Sequence, residues 1–243
     1  MEFDNNPTGS LYTTTQAAER TASAINKTPQ PENAPDTRPA SEKFASAISA
    51  AFSPLLMPSY CAMIAFWATR LSAAPEGARL TSAIVILLLT CFLPLAALLG
   101  AVRLGKVSDT RVRDRRQRIY LYPVAIVSYI LCAWYLARVH APSWLSGFFM
   151  GVALSCICAF IINFKWKISA HAAACGGMLA FILYIAITGL SDLFFLPWIT
   201  GAVLITGAVG SSRLILKAHT IGQIIAGIAV AGLCVTAMMV VFG

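Results

Sequence analysis

The sequence predicts an all-α protein, a polytopic bundle of six or seven helices that cross a membrane. Composition is the first reason: 58% of the 243 residues are hydrophobic and 12% are charged, where soluble chains carry roughly half apolar and a quarter charged residues. A soluble core cannot hide that much apolar surface. The second reason is the arrangement of the excess, which lies in long runs and not at the periods of about 2.0 or 3.6 residues that mark half-buried strands and helices. The third excludes a transmembrane barrel, whose strands alternate polar and apolar residues. The stretch from Ser82 to Val102 is apolar on every side, and in lipid only a helix satisfies the backbone of such a segment by itself.

Residues 1–43 are rich in Thr, Asn, Pro and Ala, carry both charge signs and lack the apolar stretch of a secretory signal. They read as a disordered polar tail. Residues 44–243 read as one membrane domain, with apolar stretches over 45–69, 81–102, 120–138, 144–163, 171–190, 193–211 and 220–242. Each is near the roughly 20 residues needed to cross the hydrocarbon layer. Pro54 and Pro58 interrupt the first stretch, so part of it is a candidate interfacial helix and the span count is left at six or seven. Cys61, Cys91, Cys132, Cys156, Cys158, Cys175 and Cys234 all fall in apolar runs and read as packing residues. Gly176, Gly177, Gly201, Gly207, Gly222 and Gly227 recur in the last three helices, where small residues let backbones approach.

The connectors divide by charge. Arg103 to Arg118, Lys165 to His171 and Ser211 to His219 are basic, and consecutive members are separated by two spans each, which places all three on one membrane face. The loop Ala73 to Leu80, the turn His140 to Ser143 and the turn around Ser191 and Asp192 belong to the other face. Positive-inside topology accounts for a basic excess by itself. It does not account for two of the three histidines, His171 and His219, each standing on that face where a helix enters the membrane. No carboxylate or cysteine near either histidine completes a metal's ligand set, and cationic neighbours repel a metal ion. Metal-free chemistry on an anion is expected instead, with histidine as nucleophile or proton donor and arginine forks on phosphate oxygens.

The segment from Ser212 to Gln223 (Ser-Arg, five residues, His219, three residues, Gln223) resembles the third signature of the type 2 phosphatidic acid phosphatase superfamily, in which the last position is Asp. Ile168-Ser169-Ala170-His171 resembles the second signature, Pro-Ser-Gly-His. The first signature, Lys, six residues, Arg-Pro, is matched by Arg111 and Arg118 with Ile119 for Pro; Lys106 and Arg113 offer a rival register. The likeness covers about residues 103 to 227 and marks a divergent, bacterial-type member.

The resemblance implies a metal-independent hydrolase acting on a lipid phosphate or diphosphate monoester, needing no cofactor. Its partners are then the lipid substrate and the bilayer, not nucleic acid. It assigns His219 as the nucleophile that becomes phosphohistidine, His171 as the general acid, and Gln223 as the residue orienting His219. It assigns Arg111, Arg118, Lys167, Ser169 and Arg213 to the phosphate. A glutamine fixes a tautomer but cannot stabilise an imidazolium by charge, so a non-catalytic protein that binds or moves a phosphorylated lipid is the alternative. A small-anion transporter is a poorer one, since no charged residue marks the middle of a span. The implied location is multi-pass, in a bacterial cytoplasmic membrane. Sidedness is in conflict: many bacterial relatives carry the site outside the cytoplasm, whereas charge bias places this basic face inside.

Overall fold

A computed structural model describes residues 38–105, 121–191, 193 and 195–243. The described residues form eight helices: α1 (Ala40–Ala51), α2 (Met57–Ala68), α3 (Glu76–Arg103), α4 (Leu121–Arg138), α5 (Ser143–Asn163), α6 (Ala170–Thr188), α7 (Leu196–Ile215) and α8 (Ile221–Phe242). Six of them, α3 to α8, are long and apolar enough to cross a membrane. The chain is therefore an all-α, multi-pass membrane protein. Most of the polar tail, together with Arg111, Arg118 and the rival pair Lys106 and Arg113, lies outside the described residues.

The first apolar stretch is not one span. Around Pro54 it breaks into α1 and α2, each 12 residues long and so about 18 Å, well short of a hydrocarbon layer of roughly 30 Å. Residues 40–43, assigned to the tail on composition, form the first turn of α1. In α1 only Ala45 and Ser49 are buried. In α2 eight of the 12 residues are, Met57, Cys61 and Phe66 among them. The far end of α2 is tied to the turn after α6, where Ser191 Oγ donates to the Ala68 carbonyl (2.6 Å) and Arg70 N to the Leu190 carbonyl (3.0 Å). That turn belongs to the face opposite the basic connectors.

Two other boundaries differ from expectation. Glu76 to Leu80, expected as loop, opens α3, and α7 continues to Ile215, so Arg213 stands on its last helical turn and not in a connector. Within α3, residues Leu88–Phe92 form a single π turn. The buried residues of this helix are Ser82, Ile86, Thr90 and Pro94, a spacing of four that a regular helix of 3.6 residues per turn would wind around its surface. The wider π turn keeps them on one side. Thr90 Oγ1 there pairs with Ser59 Oγ of α2 at 2.8 Å.

The core is built on α5, α6 and α8, with Phe148, Phe149 and Phe181 fully buried and the Phe148 and Phe181 rings 4.7 Å apart. Glycines set the approach of α8 to its neighbours. A Cβ added to Gly151 would lie 2.6 Å from Val235 Cα, one on Gly227 would lie 2.7 Å from the Ser169 carbonyl oxygen, and one on Gly176 would run into the Ile228 backbone. All seven cysteines are unbridged; Cys158 and Cys234 face each other across α5 and α8 at 3.9 Å.

Three of the long helices end alike. Past the ends of α4, α6 and α7, the amide of Ala141, Leu190 or Ala218 returns to the carbonyl of Leu136, Ile185 or Arg213. The residue before that amide, His140, Gly189 or Lys217, is left-handed, with φ of 56°, 64° and 48°. This is the αL closure that glycine ordinarily fills. At Lys217 it reverses the chain within five residues and delivers His219 to the foot of α8.

Candidate active site

Two connectors and the two helices that follow them meet at the basic face. Ser169 caps α6, its Oγ accepting from Ala172 N at 3.3 Å, which satisfies one of the unpaired amides of a helix start. Thr220 caps α8 in the same way, accepting from Gln223 N at 3.4 Å, and Gln223 Oε1 accepts back from Thr220 N at 3.4 Å. This is a capping box. The two helix starts are joined directly: Ser169 N donates to the Gln223 carbonyl (3.2 Å), and Lys167 Nζ donates to the Ala218 carbonyl (3.4 Å). The segments that carry His171 and His219 thus lie side by side.

His219 precedes the cap of α8 and is 8% exposed. Its Nδ1 lies 2.9 Å from Gln223 Oε1. An amide oxygen only accepts, so Nδ1 carries the hydrogen and, in the neutral ring, Nε2 carries the lone pair. The hydrogen bond between His219 and Gln223 spans the start of the helix. His219 is not part of α8, and the contact runs from the residue before the cap to the third residue of the first turn.

His171 stands on the first turn of α6, its Nε2 3.1 Å from the Ser49 carbonyl oxygen on α1. Here too the acceptor is fixed, so Nε2 bears the hydrogen. Arg213 Nη1, from the last turn of α7, donates to Ser49 Oγ at 3.4 Å. One residue of α1 therefore gathers His171 and Arg213. Ser169, expected on the phosphate, is fully buried and its hydroxyl is occupied in capping α6. Lys167 braces the other connector.

Below this cluster lies an apolar cavity of about 80 Å³, lined among others by Pro54, Pro58, Tyr129, Phe148, Ile168 and Ala170. Ile168 and Ala170 flank Ser169, so the cavity begins directly beneath the polar groups. Apolar cavities of this kind exclude water and accept hydrocarbon.

Sequence reasoning missed two residues. Thr220 was legible, because Thr-x-x-Gln before an apolar run is a capping-box pattern. Ser49 was not: a serine in a stretch of alanine and phenylalanine carries no signal until the break at Pro54 folds α1 back onto α7.

No protein-family model matches the chain, and no curated protein or solved structure matches it.

Proposed function

We propose that the chain is a membrane phosphatase that hydrolyses a lipid phosphate or diphosphate monoester without a metal, by way of a phosphohistidine on His219. The observation that carries this reading is the hydrogen bond from His219 Nδ1 to Gln223 Oε1, which leaves Nε2 as the nucleophilic nitrogen. In the first step Nε2 attacks phosphorus, the ester P–O bond breaks, and His171 gives its Nε2 proton to the leaving oxygen. In the second, water attacks the phosphohistidine, His171 takes the water's proton, and inorganic phosphate leaves. Arg213, with Arg111 and Arg118 of the connector between α3 and α4, holds the phosphoryl oxygens. The apolar cavity supports a lipid as substrate, since it gives hydrocarbon a place beneath the phosphate-binding groups. The proposed location is a bacterial cytoplasmic membrane.

The test is phosphate release from a panel of lipid phosphates by purified protein in EDTA. Wild type is expected to turn over at least one of them, and His219→Ala to fall by about a thousandfold or more, as loss of a nucleophile does. Release that appears only on adding a divalent metal defeats the mechanism.

One observation favours a second reading, a protein that binds or moves a phosphorylated lipid without consuming it. Gln223 is uncharged and completes a capping box, a structural task independent of catalysis. On that reading His219→Ala leaves binding of the lipid intact and no variant releases phosphate.

A further inference from the structure

We propose that α1 is a lid, closed in this structure, in which Ser49 occupies the seat of the substrate phosphate and the link from α1 to α2 roofs the apolar cavity. This rests on the phosphatase reading for the roles of the groups covered and adds a closed state to it. Ser49 offers two oxygens, and each meets a group assigned to the substrate. Its carbonyl accepts from His171 Nε2 at 3.1 Å, the position in which a leaving oxygen receives its proton. Its hydroxyl accepts from Arg213 Nη1 at 3.4 Å, where a phosphoryl oxygen is held. A lipid phosphate and Ser49 cannot occupy these positions together.

The same segment closes the apolar compartment. Pro54, in the link between α1 and α2, is part of the cavity wall, and its carbonyl accepts from Tyr129 Oη at 3.5 Å. Withdrawal of α1 therefore clears the polar cluster and loosens the roof over the cavity in one motion, which is what a substrate with both a phosphate and a hydrocarbon chain requires.

Its attachment is weak enough to move. A helix of 12 residues is marginal by itself, and no side chain caps the start of α1. Its only buried residues are the small Ala45 and Ser49, while Phe44 is 70% exposed. The oxygens of Ser49 are neutral. Those of a phosphate monoester are charged, form stronger bonds to arginine and imidazole, and displace them.

Hydrogen exchange on the full chain in phosphatidylcholine nanodiscs tests this, with and without added phosphatidate. Exchange over residues 42–51 is expected to rise about threefold or more with phosphatidate, as the closed population falls, while exchange in the middle of α8 holds steady. Ala45→Gln, which crowds the buried face of α1, and Ser49→Ala, which removes the bond to Arg213, are each expected to raise the basal exchange of this segment. Unchanged or slower exchange over α1 on adding phosphatidate overturns the lid, whatever the activity. Turnover with constant exchange over α1 refutes the lid and keeps the phosphatase, whereas rising exchange without turnover of any lipid phosphate does the reverse.

Discussion

Two donors share the carboxamide oxygen of Gln223, the Thr220 amide and His219 Nδ1, and the two roles separate by mutation. Thr220→Ala removes the capping hydroxyl and leaves the histidine's acceptor in place; it is expected to cost about 1 kcal/mol of stability with little change in turnover. Gln223→Leu removes both roles, and its turnover is expected to fall by roughly tenfold to a hundredfold, as for other lost orienting partners. Gln223→Glu keeps the length, adds a negative charge favoured at a helix start, and is expected to raise turnover by stabilising the imidazolium. Initial rates on one lipid phosphate, with thermal unfolding of each variant, check all three. Equal rates for Gln223→Leu and Thr220→Ala would assign position 223 to capping alone.

At the scale of elements, the glycines on α5, α6 and α8 decide how the site's two halves meet. Gly227 packs on the carbonyl of Ser169 and Gly151 on Val235, far along α8 from the site. Adding a methyl group at either overpacks the contact and is expected to cost about 1–3 kcal/mol, seen as a lower unfolding temperature. Only Gly227→Ala is expected to lower turnover of the protein that remains folded, because it separates the start of α6 from that of α8; a matching loss in Gly151→Ala would contradict this. The helices themselves were legible in the sequence, since lipid imposes long apolar runs and each run became a helix except the one broken at Pro54. His171, Arg213, His219 and Gln223 were legible through the spacing of two motifs. The contacts of Ser49 were not, because they depend on how α1 packs against helices more than a hundred residues away. The capping role of Ser169 was hidden for another reason: a serine beside a histidine on a basic face suits a phosphate equally well.

At the scale of the whole molecule, the alternation of α3 to α8 puts the connector of Arg103 to Arg118, the start of α6 and the start of α8 on one face, and Phe242 on the other. Arg103, Lys106, Arg113, Arg115, Arg116, Lys165 and Lys217 remain on the basic face when the phosphate-binding candidates are set aside, against Arg70, Arg79 and Arg138 opposite. By the positive-inside rule the site is expected to face the cytoplasm and the end of α8 to lie away from it. In a bacterial host, alkaline phosphatase fused after Gly243 is expected to be active and a green fluorescent protein fused there to be dark. The opposite pair of results would place the site on the outer face.

The π turn of α3 has a bearing on insertions and deletions. Residues Leu88–Phe92 take up one residue more than the helix needs, so losing one of them would not break the helix but would let it close into regular α-helix. The extra residue is accommodated within the π turn itself, so its loss would leave the two halves of α3 in nearly their present orientation, whereas loss of a residue from the regular helix on either side would rotate everything after it by about 100° and shift it by about 1.5 Å. Arg103, where α3 ends and the arginine-rich connector begins, would keep its direction in the first case and swing in the second. A frame-preserving loss of a single codon is thus best tolerated in this turn, where it spares both the span and the aim of the chain that follows. Only outside this short stretch does the number of residues in α3 set the direction in which the first basic connector leaves the bundle.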